Sequence, residues 1–293
     1  MKDILKYYYH IIVNDDKVDE HGYFSYSNHL FCLYEYKRNI KEIDSLVNLN
    51  IFLIRNNVQI NRIVFNIFNK PFTNYKNNYY VLLLINYEYQ GGNFKFIPIY
   101  QFNNIEILKR NNWSYLWSMK IDYVEYQIKH FFNKYPILSS TINYYIGLSE
   151  NAIKYFKMLK IHNETLYIEH RRIDNNYLYN PLELVIDYKV RDISEYLKKC
   201  FINKEKSIYE IKMYINKINL SNIDYILLYD RMLYPSYYFD VYDNIVNDNY
   251  NENEILKIIK LVNEYEKLLY EIYLLINRKI NIIGINWIND KFK

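Results

Sequence analysis

Between residues 168 and 197 the chain runs IEHRRIDNNYLYNPLELVIDYKVRDISEYL, a stretch that gathers the residue types phosphoryl transfer requires. That chemistry needs a carboxylate to orient an acceptor hydroxyl, an amide and a carboxylate to hold Mg²⁺, and a cation for the phosphates. Asp187, closing the apolar run LELVID, is the candidate Mg²⁺ carboxylate, and Asn175 a candidate second ligand with Asn176 beside it. His170, Arg172 and Asp174 form the candidate catalytic loop. Arg172 itself cannot be the base, because a guanidinium stays protonated in proteins, so the base falls to Asp174. Without any chemistry, His170, Arg171 and Arg172 read as a solvated turn between two short strands, or as a loop whose arginines pair with carboxylates of the helical lobe. A lone Asp after a strand is also a common turn residue, so Asp187 is a credible metal ligand only with a second one. Asp192, just before ISEYL, fits the first turn of a helix, where a negative charge suits the dipole. For the phosphates the best cation is Lys37, near the end of HLFCLYEYK, with Glu42 or Asp44 as its partner; its other reading is an exposed strand-end lysine.

These residues need a scaffold, and the apolar pattern supplies one in two parts. From Gly22 to Tyr87, short runs of strand character dominate: YFSYS, HLFCLYEYK, RIVFNIF and YYVLLLINY. Between the second and third lies NIKEIDSLVNLNIFLIRNN, in which Ile40, Ile43, Val47, Phe52 and Ile54 give a helical stripe. The predicted order is strand, strand, helix, strand, strand, with residues 69–78 as the hairpin connection of the last pair. Beyond the Gly pair of QGGNFKF the pattern turns helical. A long helix or broken pair ends at Pro136, and another helix starts at Ser149 shortly after Gly147. Two more helices follow over 191–219, and a strongly amphipathic one over 251–279. The lobe boundary is expected near residues 88–93, giving an N-terminal β-rich lobe over 1–90 and a helical lobe over 91–293 that carries the candidate loop. The fold class is α+β.

Composition removes several alternatives. Lys and Arg total 37 against 33 for Asp and Glu, and a net charge of +4 over 293 residues is no signature of nucleic-acid binding. The 37 tyrosines accompany abundant Asn, Ile and Lys, all with AT-rich codons, so the Tyr excess reflects base composition rather than a stacking surface. Cys32 and Cys200 are isolated thiols, which excludes a disulfide framework or a cysteine metal knuckle. No Gly-x-Gly-x-x-Gly or Gly-x-x-x-x-Gly-Lys-Ser/Thr occurs, so P-loop and dinucleotide folds are set aside. No apolar stretch approaches the ~20 residues that span a bilayer, and the N-terminus lacks a signal-peptide core. A soluble protein without membrane or nucleic-acid partners is expected.

A β-rich lobe with one helix, followed by a larger helical lobe, is the architecture of protein-kinase-like phosphotransferases. The candidate loop resembles the small-molecule branch, similar to aminoglycoside and choline kinases, in which His-x-Asp-x-x-x-x-Asn precedes a strand ending in Ile-Asp. His170 and Asp187 match; Arg172 stands at the Asp position and Tyr177 at the Asn position. Together with WSYLWSMKIDYVEYQI, YYIGLSENAIKYF and YDRMLYPSYYFDVYD, the loop resembles a bacterial spore-coat-associated kinase-like family found in sporulating Firmicutes, over about two-thirds of the chain. Trp113, Trp117, Gly147, Glu150, Asn151, His170, Arg172, Asp187, Arg191, Asp192, Arg231 and Pro235 carry that resemblance. It implies a two-lobe kinase-like fold and a degenerate catalytic loop. The implied role is that of a catalytically impaired pseudokinase, an interaction protein of the spore coat or cytoplasm that binds a protein partner or a small ligand. The alternative is a working kinase that uses ATP and Mg²⁺ to phosphorylate a hydroxyl. Read without the resemblance, Trp113 and Trp117, at i and i+4, share one helix face and anchor a core.

Overall fold

The computed structural model describes residues 1–13, 18, 19, 21–88, 105–131, 133–161, 165–173 and 178–293. The chain forms two compact units, Met1–Lys109 with Tyr167–Ile186, and Arg110–Leu166 with Asp187–Lys293. Most of the boundary expected near 88–93 lies outside the described residues.

The first unit opens with α1 (Lys2–Tyr9), followed by β1 (Tyr23–Tyr26) and β2 (His29–Glu35). These strands pair antiparallel through a two-residue turn at Ser27 and Asn28, both at positive φ (49° and 62°), the geometry whose twist matches a hairpin. Next come α2 (Ile43–Arg55), β3 (Arg62–Val64), β4 (Thr73–Tyr75) and β5 (Asn78–Ile85). The sheet order is β1-β2-β5-β3, with β4 also on β5. The expected connection at 69–78 thus contains a strand of its own, because Lys76 and Asn77 (φ 50° and 66°) turn the chain tightly enough to set Tyr75 opposite Asn78. The strand alternation sorts β2: Leu33 joins Ile4, Leu5, Phe24 and Leu82 in the cluster beneath α1. Gly22 makes this possible. Its carbonyl accepts from Leu33 N at 2.9 Å, and at φ +87° a Cβ there would lie 2.6 Å from the Leu33 carbonyl oxygen.

On α2 the buried stripe is Ile43, Leu46, Leu49, Asn50 and Leu53 with Val47, so the expected stripe shifts: Ile40, Phe52 and Ile54 are only half-buried. The shift admits Asn50, whose side chain donates to Asn61 O (2.8 Å) and accepts from Ile63 N (3.1 Å), holding the turn into β3. Fully burying a leucine contributes about 1.5–3 kcal/mol, which makes Leu46, Leu49 and Leu53 the anchors of this helix. The unit is completed by a two-stranded sheet of β6 (Tyr167–His170) and β7 (Leu184–Asp187), the latter preceded by a 3₁₀ turn, Pro181–Glu183, capped by Asn180.

The second unit is helical: α3 (Trp113–Phe131), α4 (Pro136–Leu159), α5 (Arg191–Ile202), α6 (Ile208–Lys217), α7 (Asn222–Leu233), α8 (Ser236–Val246), α9 (Leu256–Ile259), α10 (Val262–Asn277) and α11 (Asn286–Phe292). α4 packs on α3 and α7, and α7 on α5 and α10. Pro136 starts α4 rather than ending a helix, as a first-turn proline can. Gly147 and Ser149 lie inside α4, so no helix starts there; the Ser149 hydroxyl donates to Tyr145 O at 2.7 Å instead of capping. The expected helix over 251–279 is divided into a 3₁₀ turn, α9 and α10. Ser207 with Glu210 and Ser221 with Asp224 form reciprocal capping boxes at the starts of α6 and α7. Among the described residues no helix is long and apolar enough to cross a membrane.

Candidate functional site

In the first unit, β6 delivers His170 to a buried position, 1% exposed, where ring Nε2 donates to the Leu178 carbonyl at 3.0 Å. His170 is therefore a fastener of the loop, not part of a solvated turn. Arg171 pairs within the first unit rather than with the helical one: its backbone N donates to Glu183 O at 2.7 Å, and its guanidinium reaches Glu183 Oε2 (2.9 Å) and Oε1 (3.2 Å). Tyr34 of β2 donates to the same Oε1 at 3.2 Å. Arg172 is exposed and lines a recess of about 400 Å³ with Lys37, Arg38, Arg171 and Glu183. Asp174 and Asn175, with Asn176 and Tyr177, lie outside the described residues.

Lys37 projects into solvent, its side chain 78% exposed, 3.4 Å from Glu35. Glu42, expected as its partner, pairs with Arg38 instead, and Asp44 is exposed. The Arg38 side chain is 5% exposed. Its Nε donates to Glu42 at 2.7 Å and one terminal nitrogen to the carbonyls of Leu182 (2.6 Å) and Leu184 (2.9 Å). Sequence reasoning missed Arg38, although its i, i+4 spacing to Glu42 was readable. A planar fork can serve a carboxylate and two carbonyls at once, which an ammonium on a strand-end stem cannot.

Beneath the sheet lies a cavity of about 490 Å³ walled by Leu30, Cys32 and Tyr34 of β2 and Leu83 and Ile85 of β5, with Asp19, His21, Asn61, Glu88 and Asn180. Burial and the nearby Asp19 push the Cys32 thiol up to about 12, so it remains a neutral wall residue.

Asp187 belongs to the second unit and is fully buried. Trp113 Nε1 donates to its two oxygens at 2.9 and 3.1 Å, Tyr188 N to Oδ1 at 2.8 Å, and Arg191 to Oδ2 at 2.6 Å. Burial pushes this carboxyl upward, and Arg191, then Arg231, pull it back. The network continues through Arg231, whose guanidinium carbon sits 5.0 Å from the Trp113 ring centroid and 5.7 Å from that of Trp117, while its Nε donates to Glu195 at 2.8 Å. Trp117 stacks on Tyr234 at 4.4 Å between centroids. Lys198 Nζ donates to Glu195 (2.9 Å), to the carbonyls of Arg231 and Tyr234 (3.1 Å each) and to Ser236 Oγ (2.7 Å). Burial raises Glu195, but Lys198 and Arg231 outweigh it and bring the carboxyl down to about 2; burial lowers Lys198 to about 8. Trp113, Trp117, Asp187, Arg191 and Arg231, scattered in sequence, thus meet in one buried cluster.

The described residues do not fit a Mg²⁺-nucleotide. Both Asp187 oxygens are engaged, Lys37 points to solvent, and the cavity-facing positions of β2 are Leu, Cys and Tyr where such a cleft needs a lysine. Among the described residues no cluster of three or more His, Cys, Asp or Glu side chains could hold a metal ion. A larger cavity of about 600 Å³, bordered by Ile121, Asp122, Glu150 and Lys154, contains none of the residues expected to act in phosphoryl transfer.

Comparison with known proteins agrees with this architecture. The family model described as "Spore coat putative kinase YutH" matches residues 2–272. The endospore coat-associated protein YutH of Bacillus subtilis (strain 168) is 26% identical over 186 residues, 54% of this chain; the match spans about half of that relative, 54% of its length. An aminoglycoside phosphotransferase from Alicyclobacillus acidocaldarius superposes with a TM-score of 0.57 at 9% identity, covering 92% of this chain and 97% of its own. Spectinomycin phosphotransferase APH(9)-Ia, solved with ADP and spectinomycin, gives 0.53 at 13% identity, covering 94% and 97%. These likenesses show the fold: the small antiparallel sheet and larger helical part are those of kinase-like phosphotransferases.

Proposed function

This chain belongs to the spore-coat kinase-like family whose model it matches, and from that premise we propose that it is a catalytically impaired member, an interaction protein of the spore coat or cytoplasm rather than a working phosphotransferase. Asp187 carries the reading. A metal-binding carboxylate must keep an oxygen open to the ion, whereas here the Trp113 indole and the Arg191 guanidinium occupy the carboxylate in a site without solvent. Taking Asp187 away from Arg191 to serve a metal would break a buried ion pair, a change that costs about 3–5 kcal/mol when one partner is removed. Arg172 at the base position supports the same reading. The coat association of the Bacillus subtilis relative supports the location.

The test is Mg²⁺-dependent loss of the ATP γ-phosphate, followed with water and with a panel of small alcohols and amino sugars as acceptors. Release is expected to stay at the level of the protein-free control. Sustained turnover that Asp174→Asn abolishes would overturn the proposal in favour of an active small-molecule kinase with Asp174 as base.

A further inference from the structure

Among the described residues, the cavity beneath the sheet of the first unit is lined by charges opposite to those of a polyphosphate site. One wall is apolar, Leu30, Cys32, Leu83 and Ile85 set by the alternation of β2 and β5, while Tyr34, Asn61 and Asn180 make the rest polar; its volume of about 490 Å³ suits a molecule of nucleoside size. The charged side chains among the described lining residues are both acids, Asp19 and Glu88, and both are exposed. Asp19 is held in place: its Oδ1 accepts from His21 N at 2.9 Å and Tyr23 N at 2.7 Å. No lysine or arginine stands among the described residues that line the cavity. A triphosphate would enter against two carboxylates, while an amino group would enter toward them.

We propose that this cavity binds a phosphate-free, amino-substituted heterocycle of nucleoside size, its ring against the aliphatic wall and its amino hydrogens toward Asp19 and Glu88. The proposal rests on the non-catalytic reading above and gives the interaction protein a ligand class. Adenosine and ATP are the probes, since they share base and sugar and differ only in phosphate. Calorimetric titration of the full chain without Mg²⁺ is expected to show adenosine binding at least about tenfold more tightly than ATP, the size of effect that a like-charge clash worth about 1.4 kcal/mol produces. Glu88→Gln, and separately Asp19→Asn, which keeps the Oδ1 acceptor, should each narrow that ratio, and so should raised salt, because exposed charges are screened. Equal or tighter ATP binding, no adenosine binding at millimolar concentration, or a ratio that neither variant moves would overturn the proposal and leave the catalytic question untouched. Turnover of ATP in the phosphate-release test would overturn the non-catalytic reading, and this proposal with it.

Discussion

Asp187 and Glu88 are both carboxylates of a kinase-like fold, and their surroundings could hardly differ more. Around Asp187 the neighbours form one network: a buried indole and a buried guanidinium, then Arg231, the half-buried Glu195, Lys198 and the half-buried Ser236 in turn. Glu88 and Asp19 border a cavity with one apolar wall. The polar groups of the first set have spent their hydrogen-bonding capacity on one another, so they hold the helical unit together. Those of the second set face space that a ligand could fill. Polar residues retained in sequence therefore mark structure in one unit and a binding surface in the other, and residue type alone does not separate the two.

The comparison predicts large effects in the closed network and small ones in the open unit. Asp187→Asn replaces the buried anion that accepts from Trp113 and Arg191 and should cost about 3–5 kcal/mol in urea unfolding; a cost below about 1 kcal/mol would mean that this ion pair does not hold the unit together. Asp230, fully buried with neither carboxylate oxygen hydrogen-bonded, has its pKa raised well above the usual value by burial. Because the folded-state value is the higher one, its stabilising contribution is complete below the unfolded-state value of about 4 and is lost as pH rises through the folded-state value. Asp230→Asn should therefore stabilise the protein by about 1–3 kcal/mol at neutral pH, an advantage that fades below about pH 4. Thermal unfolding at both pH values checks this, and an equal effect at both would refute it. In the first unit, Tyr34→Phe removes one hydrogen bond to Glu183 and should cost about 0.5–1.5 kcal/mol. Lys37→Ala, at an exposed ion pair, should change stability by less than about 0.5 kcal/mol and leave adenosine affinity unaltered. A marked loss of ligand binding on Lys37→Ala would return that lysine to the site.

How far the sequence reveals this molecule depends on the range of the interaction. The β-rich and helical halves follow from apolar period, a local property, and so do Trp113 and Trp117 sharing one buried face. Gly147 and Ser149 mislead because a serine that follows a glycine looks like a cap, while the decisive event is a hydroxyl bonding back to Tyr145 within an unbroken helix. The α1 helix is hidden by its tyrosines, which favour strands locally, although Ile4 and Leu5 bury against the sheet. At the candidate site, one position separates Lys37 from Arg38 just past the end of β2, and the two side chains face different surroundings, solvent and the buried Glu42. Composition points to the commoner cation; geometry selects the other. Closure of the network around Asp187 joins Trp113 to a carboxylate 74 positions away, and no local pattern encodes such pairings.

Lys198 gives the helical unit an internal clock for its own opening. Its amine is 1% exposed and tied at the Pro235 junction between α7 and α8, so a reagent that acylates amines will mark lysines such as Lys37 and Lys257 at once. Lys198 will take the label only at the pace at which that junction comes apart. Mass spectrometry of a labelling time course would then read the breathing of the unit from one peptide, with no substitution introduced.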